Sequence, residues 1–532
     1  MNRTTERVEA WVAWSAVAWA GFLALAVELS LSRLLRPWFG DMLFLWAAII
    51  GFVLLYLALG NYLGGRLAQR GELTGVPVIL GVAGFAIYGI PWITHPLLAA
   101  AQRSMHAYHL TLPLVALLVT FLLLALPLTL LGMISPLVIG YWTRRGRDGG
   151  DIAGRVLALS TLGSLVGSFL PVFWMLPLWG TRRTFALLGA GALLWGGITG
   201  VALLGRRGLP LLLLLLPLLL SPPSALSGPI KPFDPTGRGR VVYETESQYN
   251  YIQVVEWKGE RWLRLNEGEG IHSVWRPHMT LSDGIWDYFL LAPAFRGGRL
   301  PRRLLVIGLA GGTIPTLYAH AFPAVETVGV ELDPAVIDVA YRFFHLGDIP
   351  HLRAVAGDGR VYARQTDARF DVIVLDAYRP PYIPFHLTTV EFFRLLRGRL
   401  RPHGIVMVNA ARTARDTRLV HALSSTMRQV FPRVYIVDEP LNGALWGNSV
   451  VVGLQDAVAQ EDVLREMDRC AVPQVRLVGQ RAKDHLRPAP PPTLILTDDR
   501  APIEQIVHGI IWSSLVGRED PLRGPGKRGP AR

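Results

Sequence analysis

Seven apolar runs crowd the first 222 residues, and that crowding limits the fold more than any other feature of this chain. They lie near Trp11–Leu31, Met42–Tyr62, Val76–Ala101, Leu112–Tyr141, Val156–Leu176, Phe185–Leu204 and Leu209–Leu220. Most reach the roughly 20 residues that a helix needs to cross a bilayer. A helix satisfies its own backbone groups in hydrocarbon, so residues 1–221 are expected to form a multi-span helical membrane domain. Six spans are firm. The seventh run is short and holds Pro210 and Pro217, which fits a short span, a re-entrant piece or an interfacial segment. The first run lacks the short core and small-residue cleavage site of a signal peptide and is expected to be retained.

The rest of the chain has a different character. Residues 222–239 are proline-rich and polar, as in a semi-extended linker. Short alternating patterns at Arg240–Glu244, Tyr251–Trp257 and Arg261–Leu265 predict a small antiparallel β-hairpin domain over 240–300. Strand and helix patterns then alternate over 301–515, which predicts a doubly wound α/β, Rossmann-like domain. Residues 516–532 read as a disordered basic tail. Much of the net charge of +13 sits in this tail and in the loops between apolar runs. That placement suits contact with a membrane surface, and no nucleic-acid partner is expected. Cys470 is the single cysteine, which excludes an internal disulfide or a cysteine metal cluster, and the 13 histidines show no HxxxH or HExxH spacing. No metal site is expected.

Chemistry concentrates between Arg303 and Ala377. The apolar strand Leu304–Ile307 enters a glycine turn, Gly308-Leu309-Ala310-Gly311-Gly312-Thr313. Later strands end at Glu331-Leu332-Asp333, at Gly357-Asp358-Gly359 and at Leu375-Asp376. Acidic residues at the ends of successive parallel strands converge on one crevice. Glu331 follows the glycines by about 20 residues, where nucleotide folds place the carboxylate that holds ribose hydroxyls. The turn lacks GxGxxG spacing, which disfavours a pyrophosphate-binding dinucleotide fold. Together these features predict an S-adenosylmethionine-type nucleoside site.

The segment Thr245-Glu246-Ser247-Gln248-Tyr249-Asn250-Tyr251-Ile252 resembles a motif of spermidine synthases, the polyamine aminopropyltransferases. With the glycine turn, Val330–Asp333, Asp358-Gly359 and Asp376, the soluble half resembles that family. The N-terminal half is similar to the membrane region of its fused members, through Val27–Leu35, Gly60–Arg66 and Thr161–Gly163. The resemblance implies aminopropyl transfer from decarboxylated S-adenosylmethionine to an amine such as putrescine, leaving methylthioadenosine. The donor is a co-substrate, and no cofactor is tightly bound. It implies that Asn250, Gly308, Gly311, Gly312, Glu331, Asp358 and Gly359 bind the nucleoside, with Glu331 at the ribose and Asp358 at the adenine amino group. Asp376 would be the general base or amine-orienting carboxylate. Tyr249, Asp287, Tyr288, Arg379, His386, Asp498 and Asp499 are candidates for the acceptor side, and a homodimer is left open.

Two family carboxylates are replaced here, by Ala310 in the glycine turn and by Arg379 after the fourth strand. A guanidinium at contact distance would repel an ammonium by about 1–4 kcal/mol. Other readings stay open on this evidence: a methyltransferase on the same fold, or a transporter or sensor that binds a nucleoside or polyamine without chemistry. Glu28, within the first apolar run, is open between an ion pair and a substrate or proton role. Orientation is drawn two ways. Arg66, Arg70, Arg144, Arg145, Arg147, Arg206 and Arg207 mark their loops as cytoplasmic, and a seventh crossing would then leave the soluble domain outside. The donor's cytoplasmic pool favours an inner-membrane protein whose catalytic domain is cytoplasmic.

Overall fold

The computed structural model describes residues 3–39, 43–108, 112–216, 230–231, 237–266, 270–378 and 382–516. It comprises two compact units, Met1–Lys231 and Pro232–Arg532. Most of the linker 222–239, Arg379 and the tail from 517 onward lie outside the described residues.

The first unit holds six long helices: α1 (Arg3–Phe39), α2 (Leu43–Leu67), α3 (Gly75–Tyr108), α4 (Leu112–Arg144), α5 (Gly149–Leu170) and α6 (Leu176–Leu204). Five helical stretches are long and apolar enough to cross a membrane. The last of these, Gly149–Leu213, is interrupted at Gly180, whose φ of 76° and ψ of 174° no helix contains. Large apolar side chains such as Leu54, Leu118, Leu157 and Ile198 are more than half exposed, a surface that suits lipid rather than water. Helices approach closely through small residues, as membrane helices do. A Cβ at Gly60 of α2 would fall 2.2 Å from the Thr129 carbonyl oxygen of α4.

Side-chain contacts give the directions of the elements around α1. Arg145, just past α4, pairs with Glu9 of α1 at 2.6 Å. Trp195 of α6 donates to Ser15 of α1 at 3.1 Å, and Gly191 lies against Trp19, so α6 runs antiparallel to α1. Gly205, Arg206 and Arg207 therefore share an end of the unit with the start of α1. The 3-10 segment Gly205–Leu215 then turns back along α6, with Leu211 against Gly200 and Leu212 against Gly197. Lys231 donates its Nζ to the Pro37 carbonyl at 3.1 Å, at the far end of α1. Lys231 thus lies at the end of the unit opposite Gly205, while residues 217–229 between them lie outside the described residues.

In the second unit a four-stranded antiparallel sheet comes first: β1 (Arg240–Glu246), β2 (Tyr251–Trp257), β3 (Glu260–Leu265) and β4 (Ser273–Trp275). An eight-stranded sheet follows in the order β12-β10-β11-β9-β8-β5-β6-β7. Its strands are β5 (Arg303–Ile307), β6 (Glu326–Glu331), β7 (Leu352–Ala356), β8 (Phe370–Leu375), β9 (Leu400–Thr413), β10 (Arg433–Asp438), β11 (Trp446–Leu454) and β12 (Leu486–Pro488). β5 to β9 are mutually parallel, whereas β11 runs antiparallel between β9 and β10. The central strands are largely apolar because helices cover both faces; all six residues of β8 are buried, Asp371 among them. α7 (Thr313–Ala321), α8 (Pro334–Phe343), α9 (Gly359–Gln365), α10 (Val390–Gly398), α11 (Arg418–Met427), α12 (Gln460–Arg469), α13 (Pro473–Ala482) and α14 (Ile503–Val516) complete the unit. After β5 the chain builds β6 and β7 on one side and then returns to build β8 on the other. That reversal opens a crevice at the carboxyl ends of β5 and β8. The multi-helix N-terminal region, the small antiparallel sheet and the Rossmann-like sheet agree with the fold read from the sequence.

Candidate active site

Gly308 leaves β5 with φ 91°, and a Cβ there would fall 2.4 Å from the Asp376 carbonyl oxygen. Only glycine lets the ends of β5 and β8 come this close. Gly311 and Gly312 answer to protein neighbours as well: a Cβ would meet Ser273 at 2.7 Å or Leu346 at 2.5 Å. Gly359 faces Ile307, 2.3 Å from where its Cβ would be. The glycines assigned to the nucleoside are thus already required by packing at the crevice floor. Ala310 adopts φ 46°, unusual for a residue with a side chain.

Glu331, at the end of β6, locks that turn. Its Oε2 accepts from the Ala310 N–H at 3.0 Å and its Oε1 from the Asp333 N–H at 3.2 Å. Burial pushes its carboxyl up, opposed by those two backbone donors. A carboxylate offers about four lone-pair positions, and these backbone donors do not fill all of them. Asp358 caps α9 through Oδ1, which accepts from Arg360 N and Val361 N at 2.9 Å each. Its Oδ2 lies 3.1 Å from His386 Nε2. The structure therefore brings His386 to Asp358.

Asp376 follows β8. Its Oδ1 accepts from Asn409 Nδ2 at 2.8 Å and its Oδ2 from Trp286 Nε1 at 2.9 Å. Burial raises its carboxyl above the usual range, and these two donors partly offset that. No arginine or lysine pairs with it among the described residues. Asn409 is 6% exposed, and its Oδ1 has no hydrogen-bond partner among the described residues. Tyr378 fixes the loop beyond, since its hydroxyl accepts from Ala411 N at 2.9 Å and donates to the Asn409 carbonyl at 3.2 Å.

Several expectations change. The Asn250 amide is spent on protein: Nδ2 donates to Asp333 at 2.9 Å and Oδ1 accepts from Asn266 at 3.0 Å. It braces the β1–β2 turn against the cap of α8. Asp287 is 1% exposed and accepts from Ser282 N and Oγ, both at 2.6 Å, and from Asp283 N at 3.0 Å, so it is a structural carboxylate. Asp498 forms a forked pair with Arg360 at 2.7 and 2.5 Å and accepts from Thr389 at 2.7 Å. The Arg360 guanidinium holds its carboxyl below the usual range. Asp499 is exposed beside it. Tyr249 sits on the β1–β2 turn, its N–H donating to Ser247 Oγ at 3.0 Å. Tyr288 is buried on the short helix Ile285–Leu291, and Arg379 lies outside the described residues. Trp286 and Asn409, which contact Asp376 directly, were missed. Asn409 follows the apolar run Ile405–Val408 within β9, and that position was the available signal. No group of three His, Cys, Asp or Glu side chains could hold a metal among the described residues.

Residues 296–447 match the spermine/spermidine synthase domain family. The chain is 29% identical over 298 residues to the probable polyamine aminopropyl transferase of Bifidobacterium longum, covering 53% of this chain and 66% of that one, just under two thirds. It is 30% identical over 244 residues to the polyamine aminopropyltransferase of Vibrio vulnificus, covering 44% of this chain and 79% of that one. Among solved structures, a probable spermidine synthase from Corynebacterium glutamicum aligns over 45% of this chain and 94% of its own, at 20% identity and a TM-score of 0.37. By this relationship to enzymes matched over most of their length, the chain belongs to the polyamine aminopropyltransferase family.

Proposed function

We propose that the protein is a membrane-embedded transferase that moves an aminopropyl group from decarboxylated S-adenosylmethionine to an amine and releases methylthioadenosine. One observation carries the reading: Asp376 is a desolvated carboxylate with no cationic partner among the described residues, beside the orphaned Oδ1 of Asn409. Buried charges are ordinarily paired. An ammonium brings three donors and would satisfy both groups at once. Asp376 then accepts one amine proton, the freed lone pair attacks the methylene carbon next to the sulfonium, and the carbon–sulfur bond breaks onto sulfur. The cation at sulfur is discharged in the leaving group, so positioning supplies much of the remaining catalysis. Glu331 would hold the ribose hydroxyls, and Asp358 with His386 the purine edge. Tyr249 and Asp499 would lie at the rim.

The donor pool favours a cytoplasmic catalytic domain in the inner membrane. A second reading is favoured by the first unit, where Glu9–Arg145 and Gly205–Arg207 share one end and Lys231 lies at the other. The positive-inside rule would then put the residues after Lys231 outside, where the domain would serve as a binding module for a polyamine or nucleoside. Purified full-length protein incubated with either adenosyl donor and a panel of amines tests the reaction by mass spectrometry. Methylthioadenosine is expected, whereas adenosylhomocysteine would make the protein a methyltransferase. Digestion of the region after Pro235 in inverted vesicles is expected, and its protection there would move the reading to the second.

A further inference from the structure

We propose that Glu439 is a second cation-binding carboxylate of the crevice, holding the distal ammonium of a linear diamine whose other nitrogen sits at Asp376. This inference rests on the reading of Asp376 as the acceptor site.

The sheet places the two acids on one edge. β10 runs parallel to β9 and β8, so Glu439, immediately past β10, lies at the same carboxyl end as Asp376. The two strands are three steps apart in the order β10-β11-β9-β8, a backbone separation of roughly 14 Å at about 4.8 Å per step. Two side chains reaching inward from that span leave room for a linear dication. A single short helix connects them. Trp286 of Ile285–Leu291 donates to Asp376 at 2.9 Å, and Tyr288, two residues on, lies in the electrostatic field of Glu439. Burial and that carboxylate push the Tyr288 hydroxyl up to about 12.

The pairing of charges around β10 is uneven, and the unevenness singles out Glu439. Its neighbour Asp438 takes Arg487 at 3.0 Å, Arg412 at 3.5 Å and the Ser449 hydroxyl at 2.5 Å. Glu439 is half-buried, yet no arginine or lysine comes within ion-pair distance of its carboxylate among the described residues. Arg412 donates to the Glu439 carbonyl oxygen at 2.6 Å and lowers its carboxyl from beyond ion-pair distance, and Arg481 is turned toward Asp283 and Asp287 at 3.5 and 3.7 Å. The side-chain contact of Glu439 is with Asn448, whose carbonyl also accepts from the Glu439 N–H at 3.0 Å. Asp371, Asp416 and Asp498 all hold an arginine. Among the described residues Asp376 and Glu439 do not, and a ligand with a cation at each end would complete both.

The full-length protein in detergent tests this with putrescine against butylamine, which keeps the reacting amine and lacks the distal one. In Glu439→Gln the ratio of kcat/KM for putrescine over butylamine should fall about 10–100-fold, the size of one lost charge-assisted hydrogen bond, through KM rather than kcat. An unchanged ratio overturns the assignment. Calorimetric titration of putrescine into protein preloaded with methylthioadenosine separates this inference from the reaction itself. If the wild type fails to turn over but binds putrescine more tightly than Glu439→Gln does, the transferase reading falls and the Glu439 assignment stands. Absent or equal binding by the two proteins overturns it.

Discussion

The proposed nucleoside side and the proposed acceptor side of this crevice are built from the same residue types and tethered in opposite ways. Glu331 and Asp358 receive backbone N–H groups, from Ala310 and Asp333 in one case and from Arg360 and Val361 in the other. Such carboxylates are fixed before a ligand arrives and have lone pairs left for hydroxyl or amino donors. Asp376 is held by two side chains, Trp286 and Asn409, and has no cationic partner among the described residues. A buried carboxylate fixed by backbone amides suits a neutral, polar ligand part, and one left short of a cation suits a cationic part. The difference in tethering therefore divides the crevice by ligand charge.

The sharpest way to break this comparison is at Asp376. Asp376→Asn should lower kcat by 10²–10⁴-fold, the usual contribution of general-base assistance, while methylthioadenosine binding is unchanged. Wild-type rates in a stopped assay would remove Asp376 from the chemistry. Glu331→Ala should act on the other side. Losing charge-assisted bonds there should weaken donor binding by about 1.5–3 kcal/mol, read by calorimetry, with little change in the KM of the amine. Equal affinity would break the nucleoside assignment.

Smaller effects sharpen it. Trp286→Phe removes one neutral donor to Asp376, worth about 0.5–1.5 kcal/mol, and should slow turnover up to about tenfold. Because that donor lowers the Asp376 carboxyl, its loss should also move the acid limb of the rate profile to higher pH; a downward move would show that the bond favours the protonated form. Stability gives the smallest signal. The folded-state carboxyl of Asp376 is raised, so the native protein gains from protonation at low pH and loses that gain as pH rises through the raised value. Asp376→Asn should therefore raise Tm by a few degrees at neutral pH, with the difference shrinking as pH falls. The unpartnered Oδ1 of Asn409 allows its amide to flip and keep the contact. A lower Tm in Asp376→Asn would show that the carboxylate is well solvated in the fold.

Much of this was legible in the residues because it depends on local order. Glu331, Asp358 and Asp376 were visible because each stands at or just past the end of a strand, and parallel strands deliver their ends to one edge. For Asn250, Asp287 and Asp498 the sequence did not show the protein partners, because a motif position says which residue is present and not which partner it meets. Their partners Asp333, Ser282 and Arg360 are 83, 5 and 138 residues away in sequence. Even the five-residue separation needed the turn into the short helix before Ser282 could face Asp287. His386 was visible as a candidate, and only the return of its loop to α9 placed it on Asp358.

The sequence by itself determined the two-part architecture, the parallel sheet and the acids at its strand ends. Hydropathy period and strand–turn–helix order are properties of consecutive residues, and solvent acts on them directly. The tertiary structure alone decided which carboxylates were already satisfied. It also decided that Trp286 and Asn409 bracket Asp376, and that Lys231 lies at the far end of α1. Those outcomes depend on which distant groups share a small volume, and a buried charge is stabilised or left wanting by whichever group arrives there.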